Sequence, residues 1–503
     1  MSRALNAFSA GASPKSLRIT QDPCPYTCTA GHWLHRDKLQ REARYVQFDF
    51  AHLCEVAIGL CEGASCVSSY EKKEEGYNRV FILAMDTGKH VIARISTRVA
   101  GPPRLVTNSE LATIEYLQSK IALPVPKILA WSDEPGNPVG SEYIIQDHVN
   151  GAQLHEHWSK MNTPQHMLSY GNIYFADAPI EDASFKIPLE NDFCIGPYCN
   201  PLFWNCGAGG PEIYDRPSPN CGPWKTISGY ASGLIDTAFS RLPNESISSR
   251  DCHPFQGSVE DHRRLLKICH ETMQRTTGDD RVQKAALPTA IHADYNKRNI
   301  YVSPDDPTIT GLTDWQQTAI EPAFLYAPNT PDFAALPEAD PSEEDHTSKS
   351  RDEEQSLKDL SICQQTYKCR KLRPGRQLDS SLFRLFHYCF TSWRGGVPAI
   401  RQELIDLRAL WQELKLPGSE CPYSPSEQEL ADHARQFEDF ETTQKLKTWL
   451  KISMQTTSDG WVPNEVWKVA QEAKRAAYDE WIETARSEMS VEKADILWPF
   501  DRR

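Results

Sequence analysis

The segment "IHADYNKRNIYV", residues 291 to 302, sets His292, Asp294 and Asn299 at one spacing, His-x-Asp-x4-Asn, and runs straight into a strand-like stretch. Fifteen residues past Asn299, "GLTDWQ" carries Asp314. Between them, "NIYVS" and "TITGLT" flank the turn-forming run Pro304-Asp305-Asp306-Pro307. The two pieces are expected to pair as a hairpin that brings Asn299 and Asp314 to the same end. An amide and a carboxylate side by side offer oxygen ligands for Mg²⁺, and Asp294, five residues before Asn299, is placed to orient an attacking hydroxyl. Phosphoryl transfer requires that combination, because its transition state is stabilised by positioning and charge neutralisation more than by covalent help. His-x-Asp-x4-Asn by itself also fits a polar loop; the hairpin and the second Asp give it weight.

Upstream, residues 60 to 150 read as a small sheet with one helix. "YNRVFILAMDTGKHVIARI", residues 77 to 95, is two Val-, Ile- and Phe-bearing strands around Asp86-Thr87-Gly88-Lys89, a hairpin signal. "SELATIEYLQSKI" follows, with Ser109 placed as an N-cap and Leu111, Ile114, Leu117 and Ile121 on one helical stripe. "LPVPKIL" ends that helix with two prolines and begins a strand, and "EYIIQDHV", from Glu142 to Val149, supplies another. Residues 185 to 235, rich in Pro, Gly, Asn and Cys, read as a long loop region. Helical periodicity returns in "VEDHRRLLKICHETMQ" and prevails from Ser380 onward, while residues 337 to 356 are acidic, nearly free of apolar side chains and read as a solvated linker.

At 503 residues the chain exceeds what one core usually supports, so two or three packed units are expected. No run of 18 apolar residues is present, and an integral membrane protein is not expected. A formal charge of −14 argues against a sequence-independent nucleic-acid binder, so any phosphate site must be local. Fifteen cysteines, an odd number with no secretory core before them, point to a reducing compartment and free thiols. Cys194, Cys199, Cys206 and Cys221 crowd together without the Cys-x2-Cys knuckle of zinc sites, and read as loop and core cysteines, with a metal site as the alternative. "MSRALNAFSAGASPKSLRIT" bears Arg3, Lys15 and Arg18 and no acid before Asp22, which is the composition of a mitochondrial transit peptide; a basic disordered tail in a cytoplasmic protein is the alternative.

A small N-terminal sheet, one helix, a linker strand, then His-x-Asp-x4-Asn and a downstream Asp resembles the kinase-like fold in its aminoglycoside and choline phosphotransferase branch. "EEGYNRVFILAMDTGKHVIARI", "LPVPKILAWS", "GLTDWQQTAIEPAF" and "SDGWVPNEVW…LWPFD" are still more similar to a fungal phosphotransferase branch that includes the altered-inheritance-of-mitochondria proteins, over roughly residues 25 to 503. The resemblance implies an α+β, bilobal protein-kinase-like fold. Its parts would be a possible transit peptide or tail (1–24), a nucleotide-binding N-lobe (25–148), a C-lobe with catalytic loop and metal hairpin (149–336), an acidic linker (337–358) and a helical remainder (359–503). It also implies ATP and Mg²⁺ as cofactors and the hydroxyl of an unidentified small molecule as acceptor. Asp294 would position and help deprotonate that hydroxyl, His292 would hold the loop together, and Asn299 and Asp314 would ligate Mg²⁺. Arg94 stands where the fold usually places a phosphate-binding Lys, with Glu110 as its salt-bridge partner. Gly76 in "EEGYN" would sit over the phosphates, and Gln146, Asp147 and His148 would form the hinge that meets the adenine.

Three departures qualify these expectations. Arg is not interchangeable with Lys at a phosphate site. "EEGYN" holds a single glycine. Relatives carry a helix of several turns between segments like "MNTPQHML" and "YGNIYFADAPI", whereas here Leu168 is followed directly by Ser169. The alternative reading is therefore a kinase-fold binding protein, a pseudokinase associated with mitochondria. A protein kinase is disfavoured, because "IEPAF" leads into the acidic linker with no A-P-E-like segment after Asp314.

Overall fold

The computed structural model describes residues 23–120, 123–149, 152–153, 169–190, 192–206, 219–243, 253–303, 305, 308–326, 357–358, 361, 373–454, 456–457 and 459–500. The basic segment up to residue 22, the junction at Leu168 and nearly all of the acidic linker lie outside the described residues.

Strand β1 (Gly31–Trp33) and helices α1 (Asp37–Ala43) and α2 (Phe50–Gly59) come first. Asp49 caps α2 by accepting the His52 N–H at 2.9 Å. Phe50, Leu53, Cys54 and Ala57 then form one buried stripe. These two helices are additional to the single helix that the sequence reading gives this lobe.

The sheet beneath α2 is built from β2 (Val67–Glu75), β3 (Asn78–Met85) and β4 (His90–Ser96), then, beyond helix α3 (Leu105–Lys120), β5 (Ile128–Ser132) and β6 (Tyr143–Asp147). The strands are antiparallel in the order β2-β3-β4-β6-β5. Alternation sends Phe81, Leu83, Met85, Val91, Ala93 and Ile95 into the core shared with Phe50 and Leu53. Val80, Ile82, Ile92 and Arg94 therefore share the opposite face, the one toward the rest of the molecule.

Helix α3 begins four residues before Ser109, one residue after Pro102-Pro103. Ser109 is thus a mid-helix residue and not a cap; its buried hydroxyl accepts the Asn172 side-chain N–H at 3.1 Å. The reading fails there because α3 is buried on its polar side as well, with Thr107, Asn108, Ser109, Glu110 and Thr113 all enclosed.

The second lobe opens with β7 (Ala152–Gln153), β8 (Asn172–Phe175), β9 (Ile187–Glu190) and β10 (Phe193–Gly196), the last three forming a sheet in the order β8-β10-β9. The stretch read as loop from 185 to 235 therefore contains two strands and the start of α4 (Ile227–Ser240). Its glycines mislead: an added Cβ on Gly233 would meet the Trp224 indole at 2.5 Å, so that glycine serves helix packing and not a turn. Helices α5 (Val259–Thr277) and α6 (Asp280–Ala285) follow, then β11 (Pro288–Ile291), β12 (Ile300–Val302), β13 (Ile309–Leu312) and β14 (Ala319–Pro322). Strands β13-β12-β7 form one small sheet and β11-β14 another.

Helices α7 (Val397–Leu410) and α8 (Glu427–Ser453), strand β15 (Trp461–Pro463), and helices α9 (Trp467–Ala485) and α10 (Val491–Leu497) complete the chain. "SLFRLFHYCFTSW", read as helical, breaks into short helical pieces between 380 and 395. Leu234, Leu265, Met273, Leu404 and Trp411 mark the core of this lobe. Pairing of β1 with β15, Gly31 opposite Pro463, ties the first lobe to the C-terminal helices. A five-stranded antiparallel sheet with one helix inserted, joined to a larger and mainly helical lobe, is the bilobal kinase-like fold.

Cys194 and Cys199 pack with Ala100, Val106, Tyr174 and Ala178. The Cys221 thiol donates to the Pro219 carbonyl at 3.2 Å, and burial pushes Cys206 up to about 11 and both Cys199 and Cys221 up to about 12. These are protonated thiols filling a core, and among the described residues no group of three or more His, Cys, Asp or Glu is arranged to hold a metal.

On β14, the buried Glu321 accepts hydrogen bonds from Tyr198 and Tyr230. Burial raises its carboxyl above the ordinary range, against the tyrosine hydroxyls, which lower it. A folded-state value above the unfolded one means that its stabilising contribution is complete below about pH 4.3 and is lost as pH rises through the folded value. Glu321→Gln, neutral throughout, is expected to gain stability relative to the native chain as pH rises above about 4.3, the ordinary Glu value, read by urea unfolding. A difference that does not change with pH would contradict the assignment.

Candidate active site

The β12–β13 hairpin forms as the sequence predicts, with Ile300 opposite Leu312 and Tyr301 opposite Gly311. Beyond the paired end, the Thr313 N–H donates to the Asn299 carbonyl at 2.9 Å, which brings Asn299 alongside the residue preceding Asp314. The Asn299 side-chain amide donates to both the carbonyl and the carboxylate of Asp294, each at 2.9 Å. Asn296 adds a bond to the other carboxylate oxygen at 2.6 Å. Asp294 is exposed, yet both of its oxygens are held. Since Asn299 directs its nitrogen at Asp294, its Oδ1 is the atom left to act as a ligand.

His292 bridges the two loops. Its Nε2 donates to the Thr313 carbonyl at 3.0 Å, and its Nδ1 accepts the Asp294 N–H at 3.2 Å, a pairing that assigns the neutral Nε2–H tautomer. Burial lowers its pKa below the usual 6.5, which keeps the ring neutral near pH 7. Trp315 lies edge-on to it, ring centres 4.7 Å apart. A neutral imidazole with both nitrogens engaged braces the loop.

From the sheet lobe, Arg94 on β4 forms an ion pair with Glu110 on α3, and its other terminal nitrogen lies 3.8 Å from the Asp314 carboxylate. Burial pushes both carboxyls up, while the guanidinium pulls them down. Asp314 itself is in the left-handed region, φ +61°, a conformation that Asp tolerates better than most residues. Arg94→Ala would leave two neighbouring carboxyls without their cation and is expected to cost about 3–5 kcal/mol in chemical denaturation. Glu110→Gln should cost less, because Arg94 keeps Asp314. Equal costs would contradict this arrangement.

The remaining sequence-derived residues stand apart from this cluster. Gly76, φ +32°, sits at the exposed tip of the two-residue β2–β3 turn, and its carbonyl accepts from the Arg44 guanidinium at 2.9 Å. Gln146 lies opposite Ile92 of β4, and the Asp147 N–H donates to the Lys127 carbonyl at 2.9 Å. The Asp147 carboxylate is 3.6 Å from Lys89, and His148 is exposed near His90. No hydrogen bond or ion pair among the described residues joins these four to Asp294, Asn299 or Asp314.

Asn78, Asn296, Gln316 and Gln317 are polar residues of the site region that the sequence reading did not single out. The available signal was position: Asn78 closes "EEGYN", and the two glutamines immediately follow Asp314-Trp315.

No family model matches the chain. A subtelomeric hrmA-associated cluster protein of Aspergillus fumigatus is 30% identical over 311 residues, 52% of this chain and 60% of that protein's length. The altered inheritance of mitochondria protein 9 of Lachancea thermotolerans is 22% identical over 475 residues, 79% of this chain and 72% of that protein. The chain is a sequence relative of these fungal proteins. It spans less than two thirds of the Aspergillus protein. Among solved structures, a Plasmodium vivax ethanolamine kinase matches with a TM-score of 0.32 and 12% identity, over 71% of this chain and 86% of that one. A thermostable mutant of aminoglycoside phosphotransferase APH(4)-Ia, in a ternary complex with ADP and hygromycin B, matches with a TM-score of 0.31 and 13% identity, over 70% and 97% of the two chains. No helix among the described residues is long and apolar enough to cross a membrane.

Proposed function

We propose that the chain is an ATP- and Mg²⁺-dependent phosphotransferase acting on the hydroxyl of a small molecule. The observation that carries this reading is the meeting of three elements at one place: the Asp294 carboxylate held by Asn296 and Asn299, the Asp314 carboxylate beside the same loop, and the Arg94–Glu110 pair reaching Asp314 from the sheet lobe. Asp294 would orient the acceptor hydroxyl and take its proton. Arg94 would face the nucleotide phosphates, Gly76 would lie over them, and Gln146, Asp147 and His148 would border the adenine.

The donor set suits magnesium. An amide oxygen at Asn299 and a carboxylate at Asp314 are hard oxygen ligands, and a half-buried carboxylate whose pKa is raised by burial gains from a nearby cation. A bound divalent ion would supply neutralisation of the phosphate charge. A mitochondrial setting follows the naming of relatives such as the Lachancea protein.

A binding protein without turnover is the second reading, favoured by the β2–β3 turn. Two residues and one glycine, with the glycine carbonyl bound to Arg44, present few backbone N–H groups to a phosphate chain.

Thermal unfolding with ATP and Mg²⁺ together, and with each alone, tests both readings. A larger upward shift with both components together than with either alone is expected. No shift under any of the three conditions would eliminate the enzyme and the nucleotide-binding protein alike.

A further inference from the structure

We propose that Asn78 and Gln316 are a pair of positioning residues that sets the Asp314 loop against the β2–β3 turn, so that metal-dependent nucleotide binding depends on their contact. This rests on the reading of Asp314 as a metal ligand. The two side chains exchange amide bonds reciprocally: Asn78 donates to Gln316 Oε1 at 2.9 Å, and Gln316 donates to Asn78 Oδ1 at 3.1 Å. Gln316 also donates to the Ser96 hydroxyl at 3.2 Å. Both amides are 5% exposed, so neither has water as a ready substitute partner.

Position gives the pair its significance. Asn78 is the first residue of β3 and closes the Gly76–Tyr77 turn, while Ser96 ends β4 two residues after Arg94. Gln316 is two residues past Asp314. The intervening backbone is unusual: Asp314 and Gln317 have φ values of +61° and +60°, a region that non-glycine residues occupy only where surrounding contacts impose it. Four of the contacts that hold it come from the sheet lobe. Arg94 reaches Asp314, Asn78 and Ser96 hold Gln316, and the Ala100 carbonyl accepts the Gln317 amide at 2.9 Å. Of these, the Asn78–Gln316 contact alone links the loop to the residue that ends the turn over the proposed phosphate site. Movement of that turn is thereby transmitted to Asp314.

The test compares ATP affinity with and without Mg²⁺ by calorimetry in the native chain, Asn78→Ala, Gln316→Ala, the double Ala variant and the exchanged pair Asn78→Gln/Gln316→Asn. Each single Ala variant is expected to reduce the Mg²⁺-dependent gain in affinity about tenfold, the size of one lost buried hydrogen-bonded contact, with metal-free ATP affinity little changed. The double Ala variant should lose no more than either single one, and the exchanged pair should recover most of the gain. A merely structural role would lower both affinities together or neither. Native-like gains in both single variants, or additive losses in the double, would overturn the pairing. Absence of any Mg²⁺-dependent gain in the native chain would overturn the proposed function along with it. Should the Ala variants fail to fold, the exchanged pair decides: retained gain supports the contact, and loss of gain in a folded exchanged protein overturns it.

Discussion

Asp294→Ala is expected to lower phosphoryl transfer by about 10²–10⁴-fold, the range for removing a general base, while leaving Mg²⁺·ATP affinity near the native value. The split follows from geometry. Asp294 is the exposed member of the cluster, and its oxygens accept from Asn296 and Asn299, which hold it in place and leave it facing solvent, where an acceptor would arrive. Its loss removes the group that takes the hydroxyl proton and leaves Asp314 and Arg94 in contact. Phosphate release to water by saturating Mg²⁺·ATP provides a readout that needs no knowledge of the acceptor. Equal loss of affinity and rate would instead place Asp294 in nucleotide binding, and native turnover would remove it from the chemistry.

Asp314→Ala is expected to act in opposite directions on function and stability. The variant should lose the thermal shift given by Mg²⁺·ATP, worth about 2.7 kcal/mol when ligand is at a hundred times its dissociation constant. Without ligand it should be more stable than the native chain. Burial holds the Asp314 carboxyl above the ordinary range, only partly offset by the Arg94 guanidinium. A raised folded-state pKa means that stability is lost as pH climbs through it, and Ala removes that loss. The advantage of the variant should therefore grow with pH above about 4, the ordinary Asp value. A destabilised ligand-free variant would show that the Arg94 contact outweighs desolvation.

The parts of this account that were legible in the sequence share a cause. Strands β3 and β4 announce themselves by dense β-branched and aromatic residues around an Asp-Thr-Gly-Lys turn, and the β12–β13 pairing by two short apolar runs flanking a Pro-Asp-Asp-Pro turn. Both are local signals, and a hairpin needs nothing more. Ser109 was misplaced because α3 is enclosed on nearly every side, so the polar residue that looks like a cap is an internal partner for Asn172, sixty-three positions away. The strands and helix hidden between 185 and 235 were masked by glycines such as Gly233, which make room for Trp224.

At the candidate site the same division holds. The spacing of Asp294 and Asn299 within one loop is readable, and the hairpin extends that reading to Asp314. Asn78 and Gln316, 238 positions apart, carry no local pattern at all. An amide contributes to a contact only through a partner that folding supplies, so such pairs emerge from the structure alone.

The most direct test of the central claim, that Asn299 and Asp314 hold a divalent cation on nucleotide phosphates, replaces Mg²⁺ with paramagnetic Mn²⁺ and counts bound metal by electron paramagnetic resonance with and without ATP. The native chain should bind Mn²⁺ in an ATP-dependent manner, and Asp314→Ala should not. Mn²⁺ binding that ignores ATP, or that survives intact in Asp314→Ala, would contradict the account.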